Sequence, residues 1–384
     1  MKEIINKILS MKTKIIVAVL FIVVFAAAIY KINDFEKTPL TSNVGQSYEK
    51  AVVVEITKDN IQEDGNRYGN QEVILEMRSG EHKGKELEAT SPSGTLFGAE
   101  CVVGMRVIAI VSTTEDTVVT TVYSQDRTIP IVMFVAIFAL AICVIGGMKG
   151  LKSVISLAFT LLCIWLIQFP LMYKGMSPFI VTVVISAVVT IFTILFVSGV
   201  NNKSLAAIIG TVSGVVIAGI SAYVFGHFAG ISGYNVSDIE NLNYVAQYSD
   251  LQIGGLLFAG IIISALGAVM DVGMSIASTI NEIYEKKPDS TVKELFMSGI
   301  HVGRDMMGTM SNTLILAFVG GSMTTLMLNY SYNLPANQLM NSYNMGIEIM
   351  QGISGSLGIV LTVPVTAILA AKWCHRNSIT DMKK

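Results

Sequence analysis

An acid inside an apolar run is the feature of this chain most suited to chemistry. In Gly267-Ala-Val-Met-Asp-Val-Gly-Met-Ser-Ile-Ala-Ser-Thr-Ile-Asn-Glu282, the residues Asp271, Ser275, Ser278 and Glu282 recur at i, i+4, i+7 and i+11. On a helix that spacing makes one polar stripe. A charge inside a bilayer is costly, so such a stripe should face a helix bundle or a water-filled cavity. There a carboxylate can bind a proton or an ion, because burial favours its neutral form. The alternative is that Asp271 lies near the cytoplasmic end of its span and caps a helix or pairs with a base. A second cluster follows, with Arg304, Asp305, Thr309, Ser311, Asn312 and Thr313 entering the membrane as the next apolar run begins. Asp305, Thr309 and Asn312 share a face, and Gly308 beside them is expected to let a neighbouring backbone approach closely. Arg304 and Asp305 are adjacent and point to different sides, which leaves Arg304 free to neutralise Asp271 across the helix pair. The alternative is a helix N-terminus whose dipole favours Asp305 and whose Asn and Thr residues cap amides. Glu348 and Gln351 form a third, secondary group, in which Glu348 reads as an exposed acid at a helix start near the outer surface.

Several chemistries are disfavoured. Asp271 and Asp305 on successive spans superficially suit an intramembrane aspartyl protease, but Val302, Gly303 and Arg304 stand where G-x-G-D would need to be. An adjacent arginine also opposes the sharing of one proton between two acids. No H-E-x-x-H, G-x-x-x-x-G-K-[ST] or G-x-S-x-G motif occurs. The expectation is therefore a protein that is not an enzyme and needs no metal or cofactor. Cys101, Cys143, Cys163 and Cys374 contain no C-x-x-C pair, and Cys101 reads as a small buried hydrophobe. A net charge of −2 over 384 residues gives no nucleic-acid footprint.

The elements that must position these residues are membrane spans. Only 14% of the chain is charged and 52% is hydrophobic, against roughly a quarter charged in soluble domains. Apolar runs fall at 15–29 and then at about 131–147, 153–172, 178–199, 204–226, 253–280, 306–328 and 345–371. Each is long enough, or nearly so, for a hydrocarbon core of about 30 Å, which predicts about eight transmembrane helices. Residues 1–31 form a cytoplasmic N-terminus and an uncleaved first helix, and 32–127 a separate β-rich domain. Residues 128–372 form a seven-helix bundle with an amphipathic cytoplasmic elbow near 289–303, and 373–384 a cytoplasmic tail. In the β-rich stretch, Ala51–Thr57, Glu72–Met77, Glu86–Thr90, Arg106–Ser112 and Thr117–Tyr123 read as five strands of a small OB-like barrel. Lys149, Lys152, Lys203, Lys286, Lys287, Lys293 and Lys372 would all lie on the side of the basic N-terminus, while the short loops opposite carry only Lys174. By the positive-inside rule both termini are cytoplasmic and residues 32–127 extracytoplasmic. Gly210 and Gly214 read as a packing ridge.

Four stretches resemble the YibE/F-like family of bacterial multi-pass membrane proteins. They are Gly267–Ile283, Ser298–Ser322, Gly355–Ala371 and the turn Ser79-Gly-Glu-His-Lys-Gly84. The resemblance covers most of the chain and implies a bacterial cytoplasmic membrane protein of this layout, without a substrate. By layout alone the chain is also similar to RND-type exporters and to a protein-translocase subunit, and no residue is carried over from either. The expected function is ion-coupled secondary transport, as an exporter of a small substrate or ion, with Asp271, Ser275, Arg304, Asp305, Thr309 and Asn312 as coupling or gating residues. Glu282, Glu348 and Gln351 are secondary candidates. The competing expectation is a non-transporting assembly or envelope factor that binds a protein or polymer partner through the outer domain. In either case the lipid bilayer is a partner and nucleic acid is not.

Overall fold

In a computed structural model, residues 23–37, 40, 45–63, 65–92, 98–114, 117–236 and 238–381 are described. They divide into two compact units, one of Met1–Thr38 with Gly146–Lys384 and one of Pro39–Ile145. The expected seven-helix bundle from 128 is thus divided, because the stretch up to Ile145 groups with the β-rich residues.

In the smaller unit, period-two alternation drives five strands: β1 (Gln46–Lys58), β2 (Gln71–Met77), β3 (Glu86–Ser91), β4 (Arg106–Thr114) and β5 (Thr117–Gln125). They close into a barrel in the order β1-β2-β3-β5-β4. Every pairing is antiparallel except β3 with β5, where Ala89 and Thr90 meet Thr120 and Thr121. β1 can pair with both β2 and β4 because it is long and its register shifts at Val53/Glu55 and Ile56/Lys58, the kind of irregularity that bends a strand. Inward positions Val53, Val73, Leu75, Met77, Val107 and Val111 fill the core. Cys101 is buried beside them, its N–H donating to Gln71 Oε1 at 2.8 Å, and burial pushes its thiol above the ordinary value.

The helices are α1 (Val23–Asn33), α2 (Thr128–Cys163), α3 (Phe169–Tyr173), α4 (Pro178–Ser198), α5 (Asn202–Ala229), α6 (Ile239–Gln247), α7 (Leu256–Lys286), α8 (Val292–Gly321), α9 (Met323–Ser331), α10 (Ala336–Met340) and α11 (Tyr343–Asp381). A π-helical turn, Ile164–Gln168, joins α2 to α3. α2 is broken at Gly147, whose φ 53° and ψ −134° only glycine adopts without strain. Where the apolar pattern predicted spans at 131–147 and 153–172 with a loop between, helix resumes directly after that one residue.

The larger unit is built on small residues. A Cβ on Gly214 would meet Thr362, Val269 and the Gly358 carbonyl, and one on Gly210 would meet Thr366, so α5 lies directly against α7 and α11. The glycine ridge is therefore packing, as expected. These contacts also fix direction. Gly210 near Thr366 and Gly273 near Thr211 bring the start of α5 to the ends of α7 and α11. Lys203, Lys286 and Lys372 thus gather at one end. Toward the other end, Lys174 donates to the Ile32 carbonyl at 2.6 Å, just before α1 stops.

One expectation needs correction. Residues 292–303 are not a separate elbow; they are the first turns of the continuous α8. Their apolar face packs into the bundle, where a Cβ on Gly299 would lie 2.6 Å from Ile280 Cδ1. Five described helices are long and apolar enough to cross a membrane, or six if α8 and α9, bent by 62°, form one span. The expected runs 131–147 and 153–172 fall within one 46-residue helical stretch that is broken at Gly147, and most of the first span, 15–22, lies outside the described residues.

Candidate functional site

α7 has one fully apolar face, with Ile262, Val269, Ile276 and Ile280 buried. Helical periodicity therefore turns Gly260, Ser264, Gly267 and Asp271 outward, and all four are exposed. Ser275 and Ser278 are half-buried, and Glu282 is exposed and pairs with Lys286 at 3.7 Å. The stripe exists as the spacing predicted, but it lies on the outside of the bundle.

α8 starts at a capping box, in which the Thr291 hydroxyl accepts from the Glu294 N–H and the Glu294 carboxylate accepts from the Thr291 N–H. Its outward face carries Arg304, Asp305, Thr309, Asn312 and Thr313, all exposed. Thr309 and Thr313 donate to the Asp305 and Thr309 carbonyls one turn back. Among the described residues no ion pair joins Asp271 to Arg304, nor does either have another salt-bridge partner, so the expected neutralisation is not made. Gly308 likewise admits no close neighbour, since nothing lies within 4 Å of a Cβ there. Close approach is made instead by Gly299 and Gly303, the latter against Val363.

The structure gathers polar groups elsewhere. α8 ends after Gly320-Gly321, and the 62° bend at Ser322 opens a cavity of about 310 Å³ between α7, α8–α9 and α11. Ser322, Thr325, Asn329, Asn344, Glu348 and Gln351 supply its polar lining, with Leu257 of α7 among the apolar part. Glu348 was expected to be an exposed acid. It is half-buried, with residues of α9 lining the same cavity, and its Oε2 is buried without a hydrogen-bond partner among the described residues. A second pocket of about 160 Å³ adjoins it, sharing Ser322, Leu326, Met345 and Glu348 but otherwise lined by apolar side chains such as Ile315, Phe318 and Ile353. The arrangement can hold a cation or a polar solute beside one carboxylate. Among the described residues no cluster of three or more His, Cys, Asp or Glu could hold a metal ion.

Sequence reasoning named Glu348 and Gln351 but missed Ser322, Thr325, Asn329 and Asn344. The available signal was Gly320-Gly321-Ser322 inside an apolar run, which marks a helix break and not a continuous span.

The family model described as YibE/F-like protein matches residues 134–376, which include every candidate residue above and exclude the barrel. No curated protein and no solved structure matches the chain.

Proposed function

The chain belongs to the YibE/F-like protein family, and from that premise we propose that it is an ion-coupled secondary transporter that exports a small solute across the bacterial cytoplasmic membrane. The observation that carries this reading is the helix break at Ser322 beside a cavity holding a half-buried carboxylate. Discontinuous helices at a cavity free backbone and side-chain groups for a solute, while intact helices keep theirs satisfied internally. In this reading Asp271 and the Arg304/Asp305/Thr309/Asn312 face carry the coupling ion, and Glu348 and Gln351 hold the solute.

The topology proposed is eight crossings with both termini cytoplasmic and residues 32–127 outside. Three observations support it. A helical run of 46 residues would extend roughly 70 Å at 1.5 Å per residue, more than twice a ~30 Å core, and Gly147 gives it a place to turn back. The clustering of Lys203, Lys286 and Lys372 at one end suits a cytoplasmic face. Lys174 near Ile32 suits loops that share the opposite face.

Liposomes containing the full-length protein under an imposed pH gradient test the function. Wild type should drive uptake of at least one member of a panel of small solutes, and Asp271→Asn should cut the rate tenfold or more. Uptake indifferent to both the gradient and Asp271→Asn would overturn the coupling role.

A second reading is that the barrel binds an envelope protein or polymer while the helices anchor it. It is favoured by the exposed Tyr48 and Tyr123, whose rings meet edge to face at 5.5 Å on an OB-like barrel, since exposed tyrosines are frequent at interfaces. Deletion of residues 36–125 separates the two readings, because it should spare flux in a transporter and abolish a binding phenotype.

A further inference from the structure

Glu348 stands where two unlike spaces meet. On one side lies the larger cavity, where Asn329, Asn344, Gln351 and Thr325 surround the only charged group in its lining. On the other lies the smaller pocket, walled by Ile315, Phe318, Val319 and Ile353. Ser322, Leu326, Met345 and Glu348 belong to both, so the two spaces adjoin at the carboxylate. Among the described residues no Lys, Arg or His lines either one. The buried Oε2 has no hydrogen-bond partner, and an unmatched acceptor of this kind is costly wherever water is scarce.

We infer that this junction binds a small amphipathic organic ammonium ion, with its N–H donors on Glu348 and its hydrocarbon part in the apolar pocket. The identity of each half follows from the lining. A carboxylate without a neighbouring base selects a cation, and charge-assisted N–H donors bind it more strongly than neutral ones do. The carboxamide oxygens of Asn329, Asn344 and Gln351 can accept the remaining N–H groups. Size argues against a bare alkali ion. The larger cavity of about 310 Å³ corresponds to roughly ten waters at about 30 Å³ each, which fits an amine of about ten heavy atoms. A lining that is polar on one side and hydrocarbon on the other suits a ligand with the same division. This inference rests on the transport reading only in taking the solute site to be this cavity, and its test measures binding without flux.

Equilibrium binding to the full-length protein in lipid nanodiscs provides that test, with phenethylammonium, its uncharged counterpart phenethyl alcohol, and sodium chloride as probes. Phenethylammonium should bind saturably at one site per chain, and phenethyl alcohol at least tenfold more weakly. That comparison uses wild type alone and does not depend on any variant folding. Glu348→Gln should weaken the ammonium probe tenfold or more, and Phe318→Ala should weaken it less while leaving the preference for charge. Equal binding of amine and alcohol, or amine binding indifferent to Glu348→Gln, would mean partition into lipid and would overturn the site. Sodium binding that depends on Glu348, with none of the amine, would replace the organic cation by an inorganic one and also overturn the proposal. Saturable amine binding without gradient-driven uptake would leave the site standing and remove the transport reading. Uptake of other solutes without amine binding would do the reverse.

Discussion

Two glycines of the bundle make opposite demands on a methyl group. A Cβ on Gly214 would overlap the Thr362 hydroxyl and lie 2.7 Å from Val269 Cγ1 and 2.9 Å from the Gly358 carbonyl oxygen. Three helices would have to part, so Gly214→Ala should cost about 1–3 kcal/mol, the usual range for overpacking. Gly308, with nothing within 4 Å, should accept Ala at no cost or with a gain of up to about 1 kcal/mol from helix propensity. Thermal unfolding of both variants in detergent checks the contrast, and equal melting temperatures would contradict it. In the barrel, Asp59 accepts from Gln71 Nε2 at 2.9 Å and from Arg67 Nη1 at 2.5 Å, and Arg67 also donates to Glu100. The Gln71 hydrogen bond first, and Arg67 second, hold the Asp59 carboxyl below its ordinary 3.8. A carboxyl with a lower pKa folded than unfolded contributes fully above 3.8 and loses that contribution as the pH falls through the lowered folded value. Asp59→Asn should therefore flatten the acid limb of the barrel's urea midpoint against pH, read by pulse proteolysis with an acid-tolerant protease. At this scale the sequence was informative about type but not about direction. The spacing of Asp271, Ser275 and Ser278 correctly put them in one stripe, yet which way a stripe faces depends on where the other helices lie. Glu348 was misread for the same reason, since burial by α8 and α9 is a tertiary fact.

Among the elements, breaks were harder to read than the segments they separate. The five strands were legible because alternation and turn residues are local signals, and the bounds of β2 and β3 fall within a residue of those expected. α6 and α10 fell in stretches read as loops, because helices of 9 and 5 residues leave little periodicity to detect. Gly147 looked like the end of a span and is a single-residue break. The backbone conformation there forbids a side chain although the space around it is open. Gly147→Ala should accordingly cost about 1–3 kcal/mol through strain. Gly146→Ala, equally open but without a positive φ, should be neutral or stabilising. Melting temperatures of the two full-length variants give the comparison, and an unstrained Gly147→Ala protein would mean that the break is held by something other than this residue.

For the molecule as a whole, the positions of the charges offer a decisive way to count bilayer crossings. Exposed apolar residues along α2 such as Phe134, Ile145 and Leu161 suit lipid, and the cations gathered at one end of the larger unit suit a membrane border. Side-specific labelling counts the crossings. In a cysteine-free background, single cysteines replacing Lys83, Lys149, Lys174, Lys203, Tyr234, Lys287 and Asn333 sample every loop of the eight-crossing proposal in turn. A membrane-impermeant maleimide applied to intact cells should reach Lys83→Cys, Lys174→Cys, Tyr234→Cys and Asn333→Cys. It should reach Lys149→Cys, Lys203→Cys and Lys287→Cys only after permeabilisation. The pair Lys83 and Lys149 decides the most, because labelling of both from outside would mean that the chain between the barrel and Gly147 lies on the membrane and does not cross it. That outcome would leave the cation-rich end of the bundle with Lys149 on the wrong side of the positive-inside balance, and the proposed topology would fall with it.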